Sequence, residues 1–282
     1  MRQRPFAARQ PTTSSAGAKQ PGRAASSAAN VSESGTAAST SHPAGVADCA
    51  VVRPSPPAWV RSGVPASFLN QVNLAKEVGD FSGRVGNRYV PEMDAIETLK
   101  RAGEEYRSRL WAVQAASQWA SPTPCVEWTV RDVADHILGG NRFTVLILGG
   151  LSSDAAMDRV THGDFADDPG RAFEQSSADQ LLALGQPGVL ERMYEHPMGL
   201  LSGRQIARLR MSDLVVHAWD LARALGLPEG MDPLLVTESI AIVQAVGETF
   251  IAAGFFGSGP SGLLAAEAPD QSRLLDMVGR RP

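Results

Sequence analysis

Apolar residues recur at three- and four-residue steps through Ile96, Leu99, Ala102, Tyr106, Leu110, Val113 and Ala116. That period predicts an amphipathic helix from about residue 91 to Trp119, before the turn-forming Ser121-Pro-Thr-Pro124. Thr129, with Asp132 three residues on, is the signature of a capped helix start. The helix it opens carries Val130, Val133, Ala134, Ile137, Asn141, Val145 and Leu148 on one side, and Gly149-Gly150 stops it. Residues 151–170 read as loop, with Asp, Gly and Pro throughout. A helix is expected over 170–184 from Ala172, Phe173, Ser176, Leu181 and Leu184, broken by Gln186-Pro-Gly188. Residues 189–198 suit either a short strand pair or an extended loop.

The next segment is different in kind. Over 203–225 the residues Leu214, Val215, Val216, Ala218, Trp219, Leu221 and Ala222 leave almost no polar face, which predicts a buried helix. Gly226 and Pro228 stop it. A last helix is expected over 233–253, with Leu234, Leu235, Ile240, Val243, Val246 and Phe250 on its apolar side. Helices dominate, strands are minor and no internal repeat is visible, so the fold class is an all-α bundle with minor extended segments.

Composition divides the chain. The first fifty residues are rich in Ala, Ser, Thr, Gly and Pro, and their only acids are Glu33 and Asp48. Such a segment buries too little surface to offset the entropy of ordering, so it reads as a disordered tail. It is Arg-bearing and Ser-rich like a transit peptide but lacks the amphipathic period of one. Residues 51–90 mix apolar side chains with Pro and Gly, fitting an arm on the domain or more linker. The expected organisation is a tail over 1–90 and a helical domain over 91–282. Net charge is −4, without a dense basic stripe in the helical part, which argues against nucleic-acid binding. No apolar run approaches the roughly 20 residues of a membrane helix. Two cysteines, Cys49 and Cys125, are too few for a disulfide framework and fit a reducing cytoplasm. Lys occurs only at 19, 76 and 100, and this bias toward Arg suggests a GC-rich bacterial genome.

Candidate chemistry concentrates on the apolar helix. Asp213 and His217 are four residues apart and share a helix face. Buried, they need partners. A divalent metal would satisfy both, and His136 on another predicted helix would complete a three-ligand set with open positions. An Asp213–His217 ion pair, with His136 held by Asp132, accounts for the same spacing. Asp220 could accept a hydrogen bond from His217 as its orienting group, or pair with Arg223. Trp128 and Trp219 are more often core than cofactor platforms. Arg142, Arg204, Arg208 and Arg210 could receive an acidic substrate or simply form a solvated face. Cys125, just before a helix start, could be a nucleophile, although Pro124 and Trp128 suggest a structural turn.

Thr123-Pro-Cys-Val-Glu-Trp-Thr-Val-Arg-Asp-Val-Ala-Asp-His136, followed by Gly-Gly-Asn141, resembles the N-terminal metal-binding domain of the mycothiol-dependent maleylpyruvate isomerases. So does Ser212-Asp-Leu-Val-Val-His-Ala-Trp-Asp-Leu-Ala-Arg-Ala-Leu-Gly226, and the ending 272–282 is similar to that of an actinobacterial branch of the family. The resemblance implies a DinB-like four-helix bundle with an additional C-terminal helix. It also implies a divalent metal, usually taken as zinc, on His136, Asp213 and His217, with Asp220 behind His217. The isomerases carry Glu at the Asp213 position, and related bundles carry His. They also add a C-terminal domain that supplies substrate contacts, where this chain has a final helix and a short tail. The implied activity is a mycothiol-dependent isomerase or S-transferase acting on a small electrophile. A non-catalytic metal-binding or sensing module is the alternative.

Overall fold

In a computed structural model of the chain, described residues are Arg84–Val85, Arg88–Tyr89 and 93–281, less 162–166, 253–255, 257–258 and 266. All lie in one of the two units into which the chain divides, Arg53–Pro282. The expected tail over 1–90 falls outside the described residues, apart from two short antiparallel strands, β1 (Arg84–Val85) and β2 (Arg88–Tyr89).

Four helices form the body. Helix α1 is Ala95–Leu110, α2 is Val130–Leu148, α4 is Pro169–Leu184 and α5 is Gly203–Leu225. Contacts run α1 to α5, α5 to α2, α2 to α4 and α4 back to α1, which closes a four-helix ring. A short helix, α3 (Ser153–Thr161), lies on α2. Outside the ring, α6 (Pro233–Ala252) packs on α5, and α7 (Asp270–Met277) packs on α6. Between α4 and α5 the chain makes a hairpin of β3 (Met193–His196) and β4 (Gly199–Ser202), paired Met193↔Ser202 through His196↔Gly199. The all-α expectation therefore holds, and among the described residues no helix is long and apolar enough to cross a membrane.

Caps explain the boundaries. Asp94 accepts from the amides of Ile96 and Glu97 at 2.9 Å each, satisfying two free donors at the start of α1. Thr129 and Asp132 form the expected reciprocal box at α2, and Ser202 with Gln205 forms another at α5. Gly226 ends α5 in the left-handed conformation at φ 67°. Ala207, Met211, Leu214, Ala218, Trp219, Leu221 and Ala222 are all essentially inaccessible, because α5 is flanked by α1, α2 and α6.

Two expectations are corrected. The first helix stops at Leu110, not near Trp119, and a 3₁₀ turn spans Ala116–Ala120. Gln118 Oε1 accepts from the amides of Gln114 and Ala115 at 2.8 and 2.9 Å, taking the donors an extended helix would have used. The expected loop over 151–170 contains α3, anchored by buried Ala156 and Val160, one turn apart. The open choice over 189–198 resolves as the β3–β4 hairpin, shifted a few residues toward the C-terminus.

Candidate metal centre

Helices α2 and α5 face each other in the ring and bring His136, Asp213 and His217 together. His136 Nε2 lies 3.3 and 3.2 Å from the two carboxylate oxygens of Asp213. His217 Nε2 lies 3.4 Å from Asp213 Oδ1. The three candidate donor atoms all lie within 4.8 Å of one another. Donors about 2.0–2.1 Å from a tetrahedral zinc stand about 3.3 Å apart, so the spacing fits a small divalent ion with modest adjustment. Two imidazoles and one carboxylate are also a donor set that such ions accept. His217 is nearly buried, whereas His136 and Asp213 are about a quarter exposed, at 24% and 26%. One side of the triad is thus open to a small molecule.

The surrounding charges set the protonation states. Burial pushes the Asp213 carboxyl up, but His136, Arg210 and His217 outweigh it and hold the group well below the usual carboxylate range. Burial, with the charges of His217 and Arg210, lowers the His136 imidazole against the upward pull of Asp213, favouring the neutral form a ligand needs. For His217, burial is outweighed by hydrogen bonds to Asp213 and Asp220, and its imidazole titrates higher than usual.

Asp220 is fully buried and receives His217 Nδ1 at 2.9 Å. Of the two partners considered from sequence, His217 is the one found. Arg223 instead pairs with Glu229 and lies over the Trp219 ring, 4.6 Å from its centroid. A second partner was missed: Arg280, at the far end of the chain, donates to both Asp220 oxygens. No periodicity marks Arg280; its one sequence signal is the glycine before it.

The four arginines weighed as a group separate. Arg210 reaches the centre, pairing with Asp213 and donating to Ile137 O at 3.2 Å and Asn141 Oδ1 at 3.1 Å. Gly140 makes this seat: a Cβ there would lie 2.2 Å from Arg210 Nη1. Arg208 is buried and pairs with Glu238, Arg204 pairs with Glu191, and Arg142 is exposed. Arg210 Nε and the Tyr106 hydroxyl are buried with no hydrogen-bond partner among the described residues. Burial and then Asp213 hold that phenol protonated well above its usual range.

Trp128 forms a wall of the site. Its ring is stacked on His217 at 5.7 Å and 7°, and tilted against His136 at 5.0 Å. Thr123 donates its amide and hydroxyl to Trp128 O, both at 2.9 Å, and Glu127 takes φ 66° to complete the turn. A non-glycine residue in the left-handed region stores strain, which functional sites tolerate. Trp219, by contrast, is core. Burial pushes the Cys125 thiol up to about 11, against the opposing pull of Arg280, which disfavours the thiolate a nucleophile needs.

Residues 99–222 match the family described as the mycothiol maleylpyruvate isomerase N-terminal domain. Two proteins of Mycobacterium tuberculosis strains, both described as uncharacterized, are 30% identical over 192 residues, covering 67% of this chain and 98% of theirs. A solved structure of a histidine-to-alanine mutant of the mycothiol-dependent maleylpyruvate isomerase aligns at TM-score 0.42 and 13% identity. The alignment covers 64% of this chain and 71% of that one. The chain belongs to the mycothiol maleylpyruvate isomerase N-terminal domain family.

Proposed function

We propose that the protein holds a divalent metal, zinc by preference, on His136, Asp213 and His217, and acts as a mycothiol-dependent isomerase or S-transferase on a small electrophile. The carrying observation is the triad itself: two imidazole nitrogens and a carboxylate, from facing helices, at separations of 3.2–3.4 Å beside an accessible face. Coordination to such a metal lowers the pKa of a thiol and so supplies a thiolate near neutral pH. Asp213 provides the anionic ligand and His136 enters as the neutral base. Trp128 covers one flank.

Sulfur adds to an electrophilic carbon, forming a C–S bond as the adjacent double bond opens. If the C–S bond breaks again after rotation, the product is an isomer and the thiol is regenerated. If the carbanion takes up the proton lost by the thiol, the product is an S-conjugate. Both outcomes use a reduced small thiol, which fits a cytoplasmic reaction.

Elemental analysis of purified protein should show close to one metal per chain, lost in His217→Ala and in His136→Ala. Unchanged metal in both variants would remove the site. Metal-loaded protein given mycothiol and a panel of conjugated carbonyl electrophiles should consume or isomerise at least one of them. Metal binding without turnover across that panel would leave a metal-binding module and sink the enzymatic proposal.

A further inference from the structure

Asp220 is buried at 0% exposure and Arg280 at 6%, and they meet far apart in sequence through Nε–Oδ1 at 3.2 Å and Nη2–Oδ2 at 2.7 Å. A two-point guanidinium–carboxylate contact fixes the plane of the carboxylate as well as its charge. The same carboxylate holds His217 Nδ1 at 2.9 Å, and His217 Nε2 faces Asp213. We infer that Arg280 is a positioning residue of the metal centre. By locking Asp220 it keeps the proton of the neutral His217 ring on Nδ1 and leaves the Nε2 lone pair directed at the centre. The inference rests on the metal-binding proposal above, and it brings the C-terminal turn into the site.

The local backbone is built to deliver this one side chain. Helix α7 ends at Met277, and Gly279 takes φ 76°, open to glycine at little cost. The Arg280 amide then donates back to Leu275 O at 2.8 Å, closing the helix with a left-handed cap. That reversal sends Arg280 inward, where Nη1 donates to Val278 O at 2.9 Å. On the outer side, Arg281 pairs with Asp276 at 3.1 Å and donates to Gly259 O at 3.3 Å. Arg223, the nearer cation in sequence, is turned away to Glu229. A carboxylate behind a histidine ligand orients the ring only if it is itself held, and such outer groups change metal affinity by about 10- to 100-fold.

Zinc affinity would be measured by competition with a chromogenic chelator on the full chain. Arg280→Gln is expected to weaken binding about 10- to 100-fold, with partial recovery in Arg280→Lys. Asp220→Asn should weaken it similarly, and the Asp220→Asn/Arg280→Gln pair should be no worse than the weaker single variant. Arg281→Ala, which breaks the outer ion pair and leaves Arg280 in place, should bind zinc like the wild type. A purely structural role for the tail would instead lower stability in Arg280→Gln and Arg281→Ala alike, without separating their affinities. The second measurement needs no metal. Nitrogen-15 NMR of the His217 ring in metal-free protein, at a pH where both imidazoles are neutral, should show the Nδ1–H tautomer in the wild type. In Arg280→Gln it should show a mixture. An Nε2–H tautomer in the wild type, or an unchanged ring and unchanged affinity in Arg280→Gln, would overturn the inference. Should the wild type bind no zinc, the metal proposal fails, and the tautomer result still decides what Arg280 does.

Discussion

His196 ends β3 with its ring edge-on to Phe143, 5.6 Å between centroids, and its Nδ1 accepts the Met198 amide at 3.2 Å. A proton on Nδ1 would turn that acceptor into a donor facing a donor. Burial first, and the charge of Arg210 second, push this imidazole down to about 4 from an ordinary 6.5. The sign follows from linkage. Below pH 6.5 the unfolded chain takes up a proton that the folded chain refuses until about 4. The contribution is therefore complete at neutral pH and drains away as pH falls between those values. Its full size is on the order of 3 kcal/mol. Urea unfolding at neutral and mildly acid pH should show the wild type losing stability more steeply than His196→Gln. Parallel pH slopes would mean that His196 contributes nothing.

Helix α5 begins under a close backbone approach. A Cβ on Gly203 would stand 2.3 Å from Val189 O, 3.0 Å from Val189 C and 3.1 Å from Leu190 Cα. Those are main-chain atoms, and the amides of Gly203 and Arg204 bond back to Arg192 O and Leu190 O at 3.0 and 2.9 Å. Nothing there can swing aside. Gly203→Ala should therefore lose about 1–3 kcal/mol, read as a lower melting temperature, whereas Gly230→Ala, with open space at its Cβ, should not. An unchanged melting point for Gly203→Ala would show that the loop gives way. This element also marks what the sequence could and could not disclose. Helices with many buried positions and a side-chain cap, α2 and α5, were legible, and so were His136, Asp213, His217 and Asp220 on them. Helix α3 was not, because two buried residues one turn apart make no period. The end of α1 was not, because Gln118 captures its donors from seven residues beyond Trp111. Arg280 and the stacking of Trp128 on His217 were hidden for another reason. Each depends on a left-handed residue, Gly279 or Glu127, redirecting the chain, and apolar spacing carries no trace of that.

At the scale of the whole molecule, an outer layer leaves the four-helix ring and returns to it. Helix α6 packs on α5, α7 packs on α6, and Arg280 beyond α7 reaches back to Asp220 on α5. The first joint of that path is an ion pair between Arg208 on α5 and Glu238 on α6, with both side chains only 2% exposed. A pair taken so far from water is a poor source of net stability, since desolvation offsets most of the attraction. We expect its value to lie in register: the pair ties α6 to α5 in one geometry, and α7, which carries Arg280 beyond its end, packs on α6. Removing one partner strands the other. Arg208→Met or Glu238→Leu alone should each cost about 3–5 kcal/mol, measured by urea unfolding. The Arg208→Met/Glu238→Leu pair should regain most of that loss, because apolar side chains of similar volume pack where the ions were. If the pair is only a stability element, the double variant will recover stability and bind zinc like the wild type. If it sets register, the double variant will recover stability but bind zinc more weakly, since Arg280 then meets Asp220 in more than one arrangement. Chelator competition on the double variant, at a temperature where it is fully folded, separates these outcomes.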